Sequence, residues 1–218
     1  GAQDEATIDK LFQLVYDGFI EEIDAIDNGV NCYPSDITPA YKISTTLGAR
    51  VSRLNPAWND KSLKPDSQFQ KAMEVAGGDF ESVVVSLANS WLPARQIVKE
   101  AVDNRLNVDP SGQIIQLAQS CPWKEHLAQI EKEAGAEILY VLYPDDAGNW
   151  RIQCVPVSPS SFQNRKSMPE SWRGLRDDEL SAKTLVEGCI FVHANGFIGG
   201  AKTLDAVVEL ARKSLADK

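Results

Sequence analysis

A histidine and three glycines near the C-terminus have the types and spacing to hold a phosphate. His193 follows a short apolar run, and Gly196, Gly199 and Gly200 follow the histidine. Glycine has no Cβ, so these positions can adopt a positive φ and let a ligand approach the backbone. Thr203 can then cap a helix whose first amides favour negative charge. The pattern predicts a strand, a glycine loop and a helix, which fits either a phosphate site or a tight connection.

Arginines form a second group of candidate phosphate ligands, because a guanidinium can bind a phosphate through two parallel hydrogen bonds. Arg50 and Arg53 lie three positions apart beside hydroxyl side chains. Arg165, Arg173 and Arg176 lie among aromatic residues in a loop-rich segment. That mixture could grip a nucleic-acid backbone and stack a base. The alternative is internal pairing, the first two arginines with the acidic helix before them and the other three with the acidic start of the next helix.

Two aspartates, Asp24 and Asp27, could bind a hard metal ion through oxygen. They lie three positions apart in a predicted helix and therefore share one face. They also stand near the helix C-terminus, where the dipole disfavours each negative charge by about 0.3–1 kcal/mol. A bound cation would relieve that conflict. A solvated acidic helix face is the alternative.

The N-terminal part that carries these aspartates is predicted to be helical. Apolar residues recur at steps of three and four through residues 4–30, which predicts one amphipathic helix. Residues 31–65 are rich in proline and hydroxyl side chains and are expected to form a linker or an ordered loop. Further helices are expected at residues 69–76, 80–91 and 93–106, with Gly77-Gly78-Asp79 as a break and Asp79 as a cap.

The C-terminal part is predicted to contain a sheet. β-prone apolar runs predict four strands, at residues 114–117, 138–143, 150–157 and 189–192. Residues 145–149 predict a hairpin loop, and residues 122–134 a helix between the first two strands. The second histidine, His126, lies in that helix and is expected at the surface or at a cap.

The expected fold class is α+β (mixed α/β), a helical N-terminal part followed by a mixed β-sheet flanked by helices. The expected divisions are residues 1–30 as one helix, 31–65 as a linker or ordered loop, and 66–218 as an α+β domain. This arrangement would place the histidine, the glycines and three of the arginines in the third division.

The composition narrows the class of protein. The chain has 218 residues, 43% hydrophobic and 24% charged, which is typical of a globular domain. A net charge of −9 argues against a broad basic surface for nucleic acids, although a local cationic groove is allowed. The four cysteines are far apart, so we expect buried free thiols rather than a zinc knuckle or a disulfide scaffold. No apolar run is long enough to cross a bilayer, and no targeting signal is recognisable.

Several long and unusual strings carry a family resemblance. They lie at residues 21–29 (EEIDAIDNG), 41–60 (YKISTTLGARVSRLNPAWND), 120–127 (SCPWKEHL), 150–157 (WRIQCVPV), 172–177 (WRGLRD) and 188–200 (GCIFVHANGFIGG). Together these strings resemble the melanocyte proliferating gene exonuclease family, and they cover nearly the whole chain.

The resemblance implies a division of labour within a longer protein. Family members resemble DHH phosphoesterases, in which an N-terminal domain holds Mn²⁺ or Mg²⁺ with Asp and His motifs. A C-terminal, DHH-associated domain closes over the substrate. Neither an Asp-His-His string nor a His-Asn-Gly-Thr-Phe-His type motif occurs here. The resemblance therefore implies that this chain is the C-terminal, substrate-binding portion, which contains no catalytic residue and is inactive alone.

The resemblance also assigns roles to particular residues. Asp27 is the first choice for the last metal-binding aspartate of related enzymes, and Asp24 is the second. The segment from His193 to Gly200 resembles a glycine and histidine motif that holds the phosphate end of the substrate. In this chain the glycines follow the histidine rather than mainly preceding it, so the geometry of the motif is expected to differ.

The function implied is that of a metal-dependent phosphodiesterase, a 3′-to-5′ exonuclease acting on RNA. The expected partners are RNA or a nucleotide and the protein's own N-terminal DHH-like domain, with no membrane and with a homodimer left open. Family members are associated with the mitochondrion and the nucleus. Two alternatives remain: a non-catalytic protein-interaction or dimerisation module, and a hydrolase of a small phosphorylated metabolite.

Overall fold

The chain divides into two compact units, residues 1–90 and residues 91–218. The computed structural model describes residues 5–217. The expected divisions at positions 30 and 65 both fall inside the first unit.

The first unit is helical, as its sequence predicts. Its first helical stretch continues from residue 5 to residue 27 through a π-helical turn. An irregular segment follows, and Thr46 then caps a short helix by accepting a hydrogen bond from the Ala49 amide at 3.2 Å. The helices are α1 (Glu5–Val15), α2 (Glu21–Asp27), α3 (Leu47–Ser52) and α4 (Pro65–Ser86). The π-helical turns are Tyr16–Ile20 and Leu87–Trp91.

The predicted helix break at Gly77-Gly78-Asp79 is wrong, because α4 runs through all three residues. Glycine inside a helix costs about 1 kcal/mol relative to alanine, which weakens a helix without forcing it to end. Asp79 does not cap a helix. It forms an ion pair with Arg50, and the next residue, Phe80, packs edge-on against Phe19 with ring centroids 5.7 Å apart. These contacts support the middle of α4.

The second unit contains a five-stranded mixed sheet, which confirms the expected α+β class. The strand order is β1-β2-β3-β5-β4, with β1 parallel to β2 and every other pair antiparallel. The strands are β1 (Ile114–Gln116), β2 (Tyr140–Pro144), β3 (Trp150–Cys154), β4 (Cys189–Val192) and β5 (Ile198–Ala201). The helices are α5 (Leu92–Asp103), α6 (Arg105–Val108), α7 (Lys124–Ala134), α8 (Asp177–Thr184) and α9 (Leu204–Ala216), with a 3₁₀ turn at Glu170–Trp172.

Two apolar clusters cover the two faces of the sheet, as the alternation of side chains along β2 requires. Leu142 lies in the first cluster with Leu210 of α9, and its neighbour Val141 lies in the second cluster. The second cluster also contains Val98 of α5 and Leu127 of α7. The sheet is therefore enclosed by α8 and α9 on one face and by α5 and α7 on part of the other.

The predicted glycine loop after β4 is wrong, because residues 198–201 form strand β5 between β3 and β4. Neither Gly199 nor Gly200 has a positive φ, whereas Gly196 has a φ of 68° in the hairpin turn. Glycine suits β5 because its neighbours fill the available space. A Cβ at Gly199 would stand 2.9 Å from the Phe191 carbonyl oxygen. Helix α9 follows this strand and is capped by Thr203, as predicted.

The expectation that His126 lies at the surface or at a cap is also wrong. The side chain is fully buried in α7, and its Nε2 lies 2.8 Å from the Trp91 carbonyl oxygen. The imidazole ring packs against the Trp91 ring at a centroid distance of 4.0 Å. His126 joins α7 to the residue that precedes α5, a contact that the local sequence pattern does not reveal.

All four cysteines are unpaired, as expected, but they are not all buried. Cys154 and Cys189 lie in the core of the second unit, Cys121 is half-buried, and Cys32 is exposed. Burial raises the pKa of the Cys154 thiol to about 12, so this thiol stays protonated and unreactive at neutral pH.

Candidate functional site

The residues singled out from the sequence fall in three places. Six of them lie around the β4–β5 hairpin and the segment beside it: Arg173, Arg176, His193, Gly196, Gly199 and Gly200. Arg165 lies against α7. The remaining four, Asp24, Asp27, Arg50 and Arg53, belong to the first unit.

His193 is exposed at the start of the hairpin turn. Its Nδ1 accepts a hydrogen bond from the Asn195 amide at 3.1 Å, and its ring packs on Phe197 with centroids 4.8 Å apart. Because Nδ1 accepts, the proton of the neutral imidazole is on Nε2. Within residues 5–217 the Nε2 has no hydrogen-bond partner, so it can donate to an anion from solution.

Gly196 is the position in the turn where the absence of a side chain matters most. A Cβ there would stand 2.5 Å from the Arg173 Nε. Arg173 therefore crosses the turn directly over this glycine, with its Nε donating to the Met168 carbonyl at 3.0 Å. The Met168 amide in turn donates to the Gly196 carbonyl at 2.9 Å. No hydrogen bond or ion pair of the two terminal nitrogens of Arg173 is found within residues 5–217, so these nitrogens can bind a ligand.

The edge of strand β4 brings the second arginine to the same region. The Gly174 amide donates to the Val192 carbonyl at 2.9 Å, and the Val192 amide donates to the Leu175 carbonyl at 3.1 Å. Arg176 then forms an isolated bridge with Phe191 and places its guanidinium 5.8 Å from the centroid of that ring. Backbone pairing thus joins two segments that are separate in the sequence.

Arg173 and Arg176 carry uncompensated positive charge. Neither residue takes part in any of the ion pairs found in the described part of the chain. The alternative expectation, pairing with the acidic residues that begin α8, is not what these two side chains do. A group of cationic donors therefore lies beside the hairpin of a chain whose net charge is −9.

Two neighbours of this group, Arg151 and Phe191, were not singled out from the sequence. The Arg151 guanidinium lies 5.1 Å from the centroid of the Phe191 ring and forms a 2.6 Å ion pair with Asp145. The one available signal was an arginine inside the β-prone run at 150–157. That signal does not show which residues of other strands lie beside it.

Asp145 is held in its charged form by the hairpin between β2 and β3. Burial alone would raise its pKa, but the Asn149 amide, the Arg151 guanidinium and the Ala147 amide outweigh burial and lower it. The two amides donate to Oδ1 at 2.9 and 3.0 Å. The carboxylate therefore fixes and neutralises Arg151 at neutral pH.

Arg165 is engaged inside the fold. Its two terminal nitrogens bind the two oxygens of Glu131 at 2.6 and 2.9 Å, and one of them also donates to the Ile138 carbonyl at 3.0 Å. The hydrogen bonds to Glu131 raise the pKa of the Arg165 guanidinium. The predicted contact of Arg165 with a substrate stays a prediction, and the geometry gives this residue a role in holding α7 to the sheet.

The two arginines of the first unit are also hydrogen-bonded. Arg50 binds both carboxylate oxygens of Asp79 in α4, and Arg53 donates to the Ser44 carbonyl at 3.0 Å. The partner of Arg50 is thus a later helix rather than the acidic helix that precedes it. A substrate role for either arginine stays a prediction.

The two candidate metal ligands do not form a complete site. Asp24 accepts hydrogen bonds from the Tyr16 hydroxyl at 3.1 Å and the Asn28 side chain at 3.0 Å, and Asp27 is exposed. The hydrogen bond to Asp24 raises the pKa of Tyr16. Residues 5–217 contain no group of three or more His, Cys, Asp or Glu side chains placed to hold a metal ion. These donors would need others from outside the described residues.

The second unit is thus a mixed α+β domain with arginines along one edge of its sheet. The chain belongs to the MYG1 exonuclease family: the family model described as "Uncharacterised protein family (UPF0160)" matches residues 1–215. This result confirms the resemblance inferred from the sequence strings.

The relatives are close in sequence and longer than this chain. The MYG1 exonucleases of Rattus norvegicus and Homo sapiens are each 44% identical over 220 residues, covering 100% of this chain and 58% of the relative. A MYG1 protein of Saccharomyces cerevisiae is 46% identical over 218 residues, covering 96% of this chain and 64% of the relative. The chain thus spans less than two thirds of these relatives. No solved structure matches it.

Proposed function

We propose that this chain is the C-terminal, substrate-binding half of a metal-dependent phosphodiesterase, a 3′-to-5′ exonuclease acting on RNA. The observation that carries the proposal is the group of uncompensated donors beside the hairpin, Arg173, Arg176 and His193, in a chain whose rat and human relatives are named exonucleases. A local group of this kind can bind a phosphate backbone although the net charge is negative.

In this role the two arginines bind substrate phosphates and the histidine adds one N–H donor. Arg173 is held in place by the Met168 carbonyl and by the bare backbone of Gly196. Arg176 is held by pairing with β4. Arginine suits this task because its planar fork matches the phosphate oxygens. The chain would bind and orient the substrate, and the reacting groups would come from elsewhere in the full protein.

The divalent metal of the proposal, Mn²⁺ or Mg²⁺, would be held mainly by residues outside this chain. When bound in such enzymes, two metal ions activate water and stabilise charge on the leaving oxygen. The donors of residues 5–217 do not suffice for a metal site. We propose that Asp27 is the first choice in this chain for a ligand that completes the metal site, and that Asp24 is the second. We therefore expect no cleavage of RNA by this chain alone.

The surface of the first unit supports a partner from the protein's own N-terminal, DHH-like domain. A groove of about 1010 Å³ is lined by residues of α2 and of the segment between residues 30 and 46. Phe12 and Tyr41 are each 72% exposed, an arrangement typical of a surface that another element covers. A homodimer is the competing occupant, and it would appear as a doubled mass in light scattering.

The location proposed from the family is the mitochondrion and the nucleus. Expression of the full-length relative with a fluorescent tag would test it. As for a membrane partner, no helix within residues 5–217 is both long and apolar enough to cross a bilayer.

Fluorescence anisotropy of a 5′-labelled single-stranded RNA, with and without Mn²⁺, tests the proposed binding. We expect affinity to increase with RNA length and to fall steeply with salt, because several phosphates are contacted. Arg176→Gln and His193→Ala should weaken binding by about three- to tenfold, and Arg176→Gln should reduce the salt slope by about one.

Lys132→Gln is the matched control, since it removes one exposed charge from α7 and should leave binding unchanged. Variants at exposed positions are used rather than a variant at Gly199, because a larger side chain there would clash with the backbone of β4 and disturb the sheet itself. Binding without length dependence would point to a small phosphorylated metabolite. No binding to RNA or nucleotides would overturn the proposal in favour of an interaction module.

A further inference from the structure

On the face of the sheet opposite α9, three strands carry no side chain of an apolar cluster among the described residues. Helices α8 and α9 pack against the first apolar cluster, to which β3, β4 and β5 all contribute. Within the described residues, none of these three strands contributes a buried side chain to the second cluster. Arg151 and Phe191 stand on this second face and are half-buried. The region beside the basic hairpin is therefore an accessible sheet surface.

Gly200 allows two side chains of neighbouring strands to approach the sheet closely. It pairs with Arg151 of β3 and with Phe191 of β4. A Cβ at this position would stand 2.7 Å from the Arg151 Nη1 and 3.1 Å from the Phe191 Cε1. The glycine thus leaves room for the Arg151 guanidinium and the Phe191 ring, whose centroid lies 5.1 Å from the Arg151 guanidinium and 5.8 Å from that of Arg176.

One of the two guanidinium groups has an ion-pair partner and the other has none in the described residues, so we assign them different roles in binding. Arg151 is neutralised by Asp145 at 2.6 Å, so it positions the Phe191 ring rather than attracting an anion. Arg176 is exposed and belongs to no ion pair within residues 5–217. Its planar guanidinium keeps both a face for stacking and donors for a phosphate.

We propose that Arg151 and Phe191, which pack over Gly200, and Arg176, which lies beside the Phe191 ring, form a platform that binds one nucleotide unit of a single-stranded nucleic acid. The base stacks on the phenyl and guanidinium surface, and Arg176 holds the adjoining phosphate. Every base has a π-face, and stacking on aromatic rings or guanidinium planes is a common way to hold an unpaired base. This inference rests on the proposed function and adds to it the residues that contact a base.

Binding of two labelled oligoribonucleotides of equal length and charge tests the platform, one with bases and one with abasic positions. Phe191→Leu should weaken binding of the normal RNA by about five- to fiftyfold and leave binding of the abasic RNA unchanged. Phe162→Leu is the matched control, because Phe162 is a fully exposed phenylalanine of the same unit. It should change neither affinity.

Arg176 provides a second pair of variants that does not depend on an apolar side chain. Arg176→Lys keeps the charge but loses the plane, so it should weaken binding of the normal RNA and spare the abasic RNA. Arg176→Gln should weaken both. The residue is exposed and forms no ion pair in the described chain, so both variants should retain the thermal stability of the wild type.

The outcomes separate the platform from the proposed function. The platform would be overturned if Phe191→Leu and Arg176→Lys weakened binding of both RNAs equally, or weakened binding of neither. RNA binding by the wild type would still support the substrate-binding role in that case. A loss in Phe162→Leu with none in Phe191→Leu would overturn the platform and assign the base contact to Phe162. Failure of the wild type to bind either RNA would overturn the proposed function first, and the platform with it.

Discussion

The two units of this chain differ in what they bury. Within residues 5–217, every buried apolar side chain lies between Ala94 and Ala211, whereas residues 5–90 contain one buried residue, the polar Gln68. The first unit instead exposes large side chains, including Trp58, which is 87% exposed. Both units contain regular helices, so secondary structure alone does not distinguish them.

The helices of the two units therefore depend on different sources of stability. Burial of apolar surface stabilises a fold by about 25 cal/mol per Å² and is the main driving force of folding. The second unit has this contribution on both faces of its sheet. Residues 5–90 of the first unit bury apolar side chains only in part, and isolated helices are marginal in water. We therefore expect the first unit to rely on a partner surface.

Separating the units should give the largest effect. A fragment of residues 87–218 keeps both apolar clusters and the Trp91–His126 contact, so it should unfold cooperatively on heating. A fragment of residues 1–90 should show no cooperative transition, because its described residues, 5–90, include no fully buried apolar side chain. Differential scanning calorimetry and near-ultraviolet circular dichroism would measure both. A sharp transition in the 1–90 fragment would show that the first unit folds without a partner surface.

A matched pair of isoleucines tests the same comparison within the whole chain. Ile152 is fully buried in β3, and Ile26 is 51% exposed in α2. Ile152→Ala should lower the free energy of unfolding by about 2–5 kcal/mol. Ile26→Ala should change it by less than about 0.5 kcal/mol. Urea denaturation gives both values, and similar costs at the two sites would contradict the contrast in burial.

One ion pair of each unit provides a third test: breaking the pair in the second unit should cost more stability than breaking the pair in the first. In the second unit Glu131 is 7% exposed and Arg165 is 23% exposed, whereas Arg50 and Asp79 in the first unit are 41% and 34% exposed. Glu131→Gln should cost about 2–3 kcal/mol, because it leaves a partly buried guanidinium without its carboxylate. Asp79→Asn should cost less than about 1 kcal/mol.

High salt sharpens this third test. The effect of Asp79→Asn should shrink with added salt, since exposed pairs are screened, and that of Glu131→Gln should persist. A cost for Asp79→Asn as large as that for Glu131→Gln would show that the first unit depends on its own polar contacts more than its exposure indicates.

The smallest expected effect concerns the pH dependence of the second unit. Burial alone would raise the pKa of Asp109, but hydrogen bonds from Ser111 and the Arg212 guanidinium outweigh burial and lower it. The stabilisation is therefore complete above the unfolded pKa of about 3.9 and is lost as the pH falls through the lower folded value. Asp109→Asn should cost about 1 kcal/mol at neutral pH.

The cost of Asp109→Asn should vanish in acid, where the wild-type carboxyl is itself protonated. Arg212→Met removes the other partner and should show the same pH profile in urea titrations. A cost that stays constant down to about pH 2 would mean that the loss reflects packing rather than charge.

Local pattern predicted most of the sheet, because four of its strands are rich in β-prone residues. Strand β5 was missed since Ile-Gly-Gly-Ala is not rich in such residues, and glycine is depleted in strands. Its glycines are required by Arg151 and Phe191 on one face and by Ile152 and Met168 on the other. Those neighbours come from three other segments, and no single window of sequence contains them.

The candidate site was predicted by residue type and not by arrangement. Arg173, Arg176 and His193 were chosen because arginine and histidine bind phosphates, and backbone pairing along β4 brings them together. Arg165 had the same chemistry but forms a salt bridge with Glu131, 34 positions away. The sequence indicates only that Phe191 belongs to an apolar strand. The register of three strands is needed to show which face of the sheet it occupies.

The backbone pairing of residues 174–176 with β4 also limits how two copies of this chain could join. β4 is one of the two outer strands of the sheet, and an uncovered outer strand is a template for adding a strand from another molecule. Here the Gly174 and Val192 amides already donate across that border. A sheet shared by two copies through β4 would first require these bonds to open and Arg176 to leave Phe191. Self-association by strand addition would thus compete directly with the surface that we propose for nucleotides.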